Sequence, residues 1–322
     1  MGDRRDEGTG SNTAGVHRPS PAAGRPVLVG EVVFDVFPDG STVLGGAPFN
    51  VAWHLQAFGL RPVLVTRVGD DERGEEVLEA MAGWGMDHSG VQIDPEAATG
   101  QVTVSLNGGT PSFEIPPAQA WDRLDAVAAV TSVEQTGASL LYHGTLAARG
   151  DDGRAALGAI REHCRLPVFV DANLRDPWWS PDLVSGLLDS ARWGKLNHDE
   201  LGRLDPDAPD PAAEGLELKA ARIADHHRLE QLVVTCGEDG AFLWADGRWL
   251  AGRPPLAVEV VDTVGAGDAF SAVWIAGLLW DWPPEVTLAR ALGFAASVCT
   301  VRGATTADRR IHDQHLATWE RE

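Results

Sequence analysis

At 322 residues, 44% hydrophobic and 23% charged, the chain carries enough apolar material for a sizeable core, which excludes global disorder. Its 47 acidic residues against 26 Lys and Arg leave a net charge of −21, so nucleic acid and anionic membrane surfaces are excluded as partners by repulsion. Three scattered cysteines without metal spacing, no apolar run of membrane-spanning length and no apolar secretion core at the N-terminus point to a reducing, cytoplasmic setting.

Residues 1–24 hold Gly, Ser, Pro and charge but almost no large apolar side chains, and read as a disordered tail before one domain over 25–322. Short apolar runs at Pro26–Gly30, Pro62–Thr66, Ser139–Tyr142, Pro167–Asp171 and Gln231–Thr235 predict buried strands. Helical patterns over Asn50–Phe58, Glu72–Trp84, Asp152–His163 and Leu218–His227 lie between them. Such alternation predicts an α/β, doubly wound, mainly parallel sheet flanked by helices, with ligands beyond the carboxyl ends of the strands. Two regions break the alternation. Val32–Leu44 reads as extended segments around Pro38-Asp39-Gly40, and residues 99–117 hold a period-two hairpin that turns at Asn107-Gly108-Gly109. Together, residues 32–44 and 99–117 predict a small β lid, and Asp205–Pro211 predicts a surface loop.

Chemistry concentrates near the end of the chain. Val258–Val261 reads as a strand that runs into Gly265-Ala266-Gly267 and then a helix from Asp268 to Trp280. Glycines permit a tight turn with converging amides, and a helix N-terminus adds its dipole, so the segment suits a transferring phosphoryl group. Asp268 can then accept a hydroxyl proton beside that group, or it can be an ordinary helix cap.

Asp262-Thr263-Val264-Gly265-Ala266-Gly267-Asp268 resembles the D-T-x-G-A-G-D signature of the ribokinase-like (PfkB) carbohydrate kinases. Gly45-Gly46-Ala47-Pro48-Phe49-Asn50 is similar to the same family's N-terminal Gly-Gly…Asn signature, in the family's order. The resemblance covers about Pro26 to Thr318 and implies a ribokinase-like fold and ATP-dependent phosphorylation of a small sugar. It implies Asp268 as base and the Gly265, Ala266, Gly267 and Asp268 amides as anion hole. Gly30–Asp35 resembles the opening in which an Asp, here Asp35, holds sugar hydroxyls, with Gly45, Gly46 and Asn50 in the same pocket. Asn197-His198-Asp199-Glu200 resembles the N-x-x-E motif that organises Mg²⁺ through water, so Asn197 and Glu200 are its expected residues. Asp171–Arg175 resembles a D-x-N-x-R segment, and Arg175 could either offset phosphoryl charge or pair with Asp176. Thr235, Gly237 and Gly240 resemble the T-x-G-x-x-G turn beside the nucleotide, with adenine expected near Ala296 on a helix over Thr287–Val301. The resemblance also implies that K⁺ could sit among Asp262, Val264, Val301 and Gly303.

The details resemble the fructokinase branch, with D-fructose the first expected acceptor and ribose, other sugars or a nucleoside as alternatives. Trp121 could stack on a sugar face and Asp122 bind a hydroxyl, or both could begin a capped helix with the indole in the core. Phe49 and Trp53 are larger than expected beside a sugar, and with Phe113 could wall a nucleoside base. No Lys or Arg falls within Val32–Leu44 or Gln101–Ile115, which disfavours phosphorylated and acidic acceptors. A non-catalytic sugar sensor would have no need of Asp268, and a homodimer through exposed lid strands is the expected assembly.

Overall fold

Apolar runs bounded by Gly or Pro form the strands, and the longer amphipathic stretches form the helices that cover them. The structure, a computed structural model, describes residues 24–107, 110–204, 215–255 and 259–320. Residues 1–23 of the expected tail and the Asp205–Pro211 loop lie outside the described residues. The strands are β1 (Arg25–Val29), β2 (Val33–Val36), β3 (Thr42–Gly45), β4 (Val63–Gly69), β5 (Val91–Asp94), β6 (Gly100–Asn107), β7 (Thr110–Glu114), β8 (Ala138–Gly144), β9 (Val168–Asp171), β10 (Trp193–Asn197), β11 (Gln231–Thr235), β12 (Ala241–Ala245) and β13 (Arg248–Gly252). The helices are α1 (Ala47–Ala57), α2 (Glu72–Trp84), α3 (Ala126–Glu134), α4 (Asp151–Cys164), α5 (Pro181–Leu188), α6 (His198–Leu204), α7 (Leu216–His227), α8 (Ala266–Leu279), α9 (Pro284–Val298) and α10 (Arg310–Trp319).

Nine strands form one sheet in the order β13-β12-β11-β10-β9-β8-β1-β4-β5. It is parallel from β5 to β11, and only the β11-β12-β13 edge runs antiparallel. From β1 the chain builds outward through β4 to β5, then returns to place β8 on the other side of β1. That reversal is the topological switch point, where a crevice opens beyond the carboxyl ends of the strands.

Both faces of the sheet are covered, which is why its strands are apolar without alternation. Residues of α1, α2, α8, α9 and α10 pack on one face in a core that includes Leu28, Phe49, Trp274 and Phe294. Residues of α3, α4, α5, α6 and α7 pack on the other, around Val27, Val29, Ile160 and Val234. Val27, Leu28 and Val29 are fully buried, and each side chain contributes roughly 1.5–3 kcal/mol. Among the described residues, no helix is long and apolar enough to cross a membrane.

A second sheet has the order β3-β2-β6-β7, drawn from residues 33–45 and 100–114. It carries its own small core of Val33, Val102, Trp121 and Leu146. The main departure from the sequence reading lies before Gly265, where residues 259–261 form no strand. The amides of Val261 and Asp262 go instead to the Cys299 carbonyl at 2.8 and 3.2 Å, which ties this segment to the end of α9 rather than to a sheet. Helix boundaries also shift: α1 starts before Asn50, α8 at Ala266, and α9 runs from Pro284 to Val298.

Candidate active site

A cavity of about 400 Å³ lies over the carboxyl ends of the central strands. The segment after β1 brings Glu31, β9 and the segment after it bring Asp171, Asn173 and Arg175, β10 brings Lys195 and Asn197, and β11 brings Thr235. The second sheet covers the opposite side with Val33, Asp35, Val102 and Phe113, and Ile115 and Trp121 follow in the chain. Gly46, Ala47 and Asn50 of the α1 start, Leu146, Glu200, and Thr263, Val264, Gly265, Gly267 and Asp268 also line it.

Both glycine signatures sit at helix starts because both need backbone that a side chain would spoil. Gly46 precedes α1 with φ 110°, and a Cβ there would come within 2.5 Å of the Glu31 carbonyl oxygen. Gly265 precedes α8 with φ 80°, and a Cβ there would come within 2.5 Å of the Ala304 Cα. These positive φ values and close approaches select glycine. Ala266, Gly267 and Asp268 open α8, where amides lack partners from the preceding turn. Ala266 N donates to the Thr263 carbonyl at 3.3 Å, while Gly267 N and Asp268 N have no protein acceptor among the described residues.

Asp268 does not cap its helix. Its Oδ2 accepts from Asn50 Nδ2 at 2.7 Å, joining the two signatures across 218 positions of sequence. Burial raises the Asp268 carboxyl to about 6; the Asn50 hydrogen bond and the charges of Lys195 and Arg175 pull against that rise, and Asp171 adds to it. Asn50 likewise lies inside α1 rather than capping it.

Beneath Asp268 is an ionic network that sequence reasoning missed. Lys195 Nζ donates to both Asp171 oxygens at 2.9 and 2.8 Å, and both residues are buried. Asp171 also accepts from Tyr142 Oη at 3.2 Å and Ser271 Oγ at 2.7 Å. Lys195 Nζ lies 3.6 Å from where a Gly267 Cβ would stand, beside the first turn of α8. The available signal was a lysine at the end of a strand, in a chain with only Lys195 and Lys219.

At the lid end, burial raises the Asp35 carboxyl while the Arg175 charge lowers it. Arg175 is exposed and lines the cavity; the expected alternative partner, Asp176, is held instead by Arg203 at 2.6 Å and Trp179 at 2.8 Å. Arg175 thus brings a cation to the cavity from outside the lid, so the lack of lid cations does not by itself exclude an acidic acceptor. Glu31, which carries no role in the sequence reading beyond its place in the Gly30–Asp35 motif, lines the cavity, and burial pushes its carboxyl up to about 7.

Asn197 and Glu200 form a reciprocal capping box at the start of α6. Asn197 Oδ1 accepts from Glu200 N and Glu200 Oε2 accepts from Asn197 N, both at 2.8 Å. Glu200 Oε1 accepts from Leu174 N at 2.8 Å, and burial raises the carboxyl. Asp262 closes its own loop pair, with Oδ1 accepting from Val264 N at 3.0 Å and Oδ2 from Gly303 N at 2.9 Å. Asp262, Val301, Gly303, Gly237, Gly240, Gly45, Ala266 and the half-buried Ala296 lie outside the cavity wall, although Thr235 and Val264 belong to it.

Asp122 is placed differently from the expectation. It is not on the cavity wall, and Arg149 Nε and Nη2 take its two oxygens, each at 2.6 Å. Its side chain also accepts from the Gln119 amide in a capping box, so it is spent on structure. Trp121 does line the cavity but is 2% exposed, and the Arg149 guanidinium lies 4.0 Å from its ring centroid. One indole face is therefore taken. Phe49 and Trp53 pack in the core, where Trp53 stacks on Trp84 at 4.6 Å. Neither constrains the acceptor, and of the three aromatic residues considered for a base only Phe113 reaches the cavity.

The model of the pfkB family carbohydrate kinases matches residues 31–310. Probable fructokinase-5 of Arabidopsis thaliana is 28% identical over 309 residues, spanning 87% of this chain and 93% of that protein. Fructoselysine 6-kinase of Escherichia coli is 28% identical over 286 residues, spanning 85% and 96%. Among solved structures, the fructokinase of Vibrio cholerae in its fructose, ADP and calcium ion bound form is similar with a TM-score of 0.74 at 25% identity, covering 88% of this chain and 96% of that one.

Proposed function

The chain belongs to the pfkB family of carbohydrate kinases, and we propose that it transfers the γ-phosphoryl group of ATP to a primary hydroxyl of a small sugar, D-fructose first, with Asp268 as general base. The hydrogen bond from Asn50 Nδ2 to Asp268 Oδ2 carries the reading, because it brings a polyol-binding amide and a raised carboxyl together at a helix N-terminus. In this reading Asp35, the backbone of Gly46 and the second Nδ2 hydrogen of Asn50 take sugar hydroxyls, since a carboxylate and an amide match their spacing, while Gly45 shapes the turn behind them. Trp121 supplies an apolar wall rather than a stacking face. The second sheet acts as a lid that excludes water competing for the phosphoryl group.

With acceptor and nucleotide in line, the sugar oxygen attacks the γ-phosphorus as its proton passes to Asp268 Oδ1 or Oδ2. The bond from that phosphorus to the bridging oxygen breaks and ADP leaves. The free amides of Gly267 and Asp268 and the guanidinium of Arg175 hold the charge on the moving group, because they are oriented before it arrives. Asn197, Thr235, Gly237, Gly240 and Ala296 would line the path of the nucleotide.

Asn197 and Glu200 fit a hydrated Mg²⁺. Each of their oxygens already accepts a backbone amide but keeps a lone pair for water, and no group of three metal-binding side chains is present among the described residues. Such an ion would neutralise charge on the phosphate oxygens. A K⁺ ion is less well matched. The carboxylate of Asp262 already closes the loops at Val264 and Gly303, and no donor set there requires a cation.

Fructose is favoured over a nucleoside because Phe49 and Trp53 are withdrawn into the core. ADP release with fructose, ribose, ketodeoxygluconate and adenosine tests the acceptor. The highest kcat/KM is expected with fructose, and turnover with adenosine alone would overturn the sugar reading. The Asp268→Asn variant should keep ATP and sugar binding by calorimetry but lose about 10²–10⁴-fold in turnover. A loss of only a few-fold would remove Asp268 as base.

A further inference from the structure

Glu31 is a carboxyl group in the cavity wall that the mechanism leaves without a task. It follows Gly30 at the end of β1 and is 5% exposed. Oε1 accepts from the Ala47 amide at 3.2 Å, and its carbonyl oxygen is the atom that forbids a side chain at Gly46. Oε2 is buried and has no partner. Asn50, one turn into the helix that Ala47 begins, shows the complementary pattern: Nδ2 is spent on Asp268, while Oδ1 is buried without a partner. A carboxylate oxygen and an amide oxygen are both acceptors only. With Glu31 ionised, Glu31 Oε2 and Asn50 Oδ1 would both be buried acceptors that no donor meets, an arrangement native interiors avoid.

We propose that Glu31 is the positioning residue of the base, working as the neutral acid whose Oε2 hydroxyl supplies the donor this wall lacks and keeps Asn50 Nδ2 turned toward Asp268. The surroundings favour that proton. Burial pushes the Glu31 carboxyl up to about 7, its own amide and that of Ala47 oppose the rise, Asp268 on α8 adds to it, and Arg175 after β9 works against it. Tyr142 on β8 also faces Glu31, and burial holds its phenol well above the ordinary range. Neighbouring Ala47 and Asn50 of α1 carry no charge. Ionisation of Glu31 above neutral pH would let the Asn50 amide turn its oxygen toward Asp268, and the base would lose its orientation.

Two substitutions and one spectroscopic measurement decide the matter. Glu31→Gln keeps an acceptor for Ala47 and offers an amide donor in place of the hydroxyl, while Glu31→Leu offers neither. Expected for Glu31→Gln is a roughly threefold loss in kcat/KM for the sugar at pH 6 and no decline above pH 7, where the unmodified enzyme should fall about tenfold per pH unit. Expected for Glu31→Leu is a roughly hundredfold loss in kcat with the KM for ATP unmoved. Equal losses in the two variants, or an alkaline decline that survives Glu31→Gln, would overturn the proposal. The inference rests on Asp268 as the base, so its proton is also read without turnover. In the Asp268→Asn background, the infrared carbonyl band of a protonated carboxyl should be present at pH 6 and vanish on adding Glu31→Gln. A band unchanged by that substitution means Glu31 is ionised, whatever Asp268 does.

Discussion

Replacing Lys195 with Met tests whether the network beneath Asp268 is structural, electrostatic or both. The ammonium makes two hydrogen bonds to Asp171, at 2.9 and 2.8 Å, and the two side chains are 8% and 4% exposed. Burial alone would pull the lysine down, but the Asp171 charge and hydrogen bonds more than offset this and hold it above its ordinary value. Methionine preserves the length and apolar stem of the side chain, so the variant isolates the charge. It leaves the Asp171 carboxylate buried with only the Tyr142 and Ser271 hydroxyls. Breaking a buried pair from one side costs about 3–5 kcal/mol, and two remaining hydroxyl donors place the expected loss near ~3 kcal/mol. Urea unfolding at pH 8 reads this as a lower midpoint at constant slope. The double variant Lys195→Met with Asp171→Asn should recover at least ~2 kcal/mol of it, because no uncompensated charge remains. Lys195 also lowers the Asp268 carboxyl, so the acid limb of kcat/KM should move to higher pH in the single variant. A loss below ~1 kcal/mol, the range of an exposed pair, together with an unmoved acid limb would refute the reasoning.

The Asp268 carboxyl, raised from 3.8 to about 6, has two readouts. As the proposed base, Asp268 must be ionised, so kcat/KM should fall about tenfold per pH unit below about 6, and a profile flat down to pH 4.5 would contradict it. A raised carboxyl also binds its proton more tightly in the folded state, so its stabilising effect is full below 3.8 and lost as pH rises through 6; thermal denaturation at pH 8 should therefore find Asp268→Asn more stable by up to ~3 kcal/mol. Gly265→Ala forces a side chain into positive φ against Ala304. It should cost ~2 kcal/mol or more by urea unfolding and reduce kcat more than it raises the KM for sugar, since the α8 amides move; unchanged kcat would place the anion hole elsewhere.

How much of this was legible in the sequence depended on whether a residue's task was local. The central strands could be read as apolar runs because a parallel sheet covered on both faces leaves no alternation, and Leu28, Val170 and Val234 are all buried. Gly46 and Gly265 were legible because their backbone conformations admit little else. Residues 259–261 looked like a strand because valines favour one, yet tertiary contact with Cys299 decided otherwise. Asp122 could be chosen by type, but its partner Arg149 lies 27 residues away, and only the fold shows that both its oxygens are taken. Asn197 and Glu200 match a metal-organising motif, but their i, i+3 spacing equally encodes a helix start, and their side chains cap α6.

Acidity posed the sharper problem, since the proposed reaction asks a chain of net charge −21 to attract a nucleotide. Among the described residues the cavity wall carries two cations, Arg175 and Lys195, and Lys195 is already matched by Asp171. Arg175 is left to face Glu31, Asp35 and Asp268, three carboxyl groups whose ionisation would outweigh it. Burial eases part of this conflict: it raises all three and takes Glu31 up to about 7, so that carboxyl carries less negative charge at neutral pH. The remainder falls to the first turn of α8, whose amides carry positive potential without a charged side chain and without the desolvation cost of one. Such a site should therefore depend more on the geometry of Gly265 than on any single basic residue. Arg175→Ala then ought to weaken turnover less than a displaced helix start does.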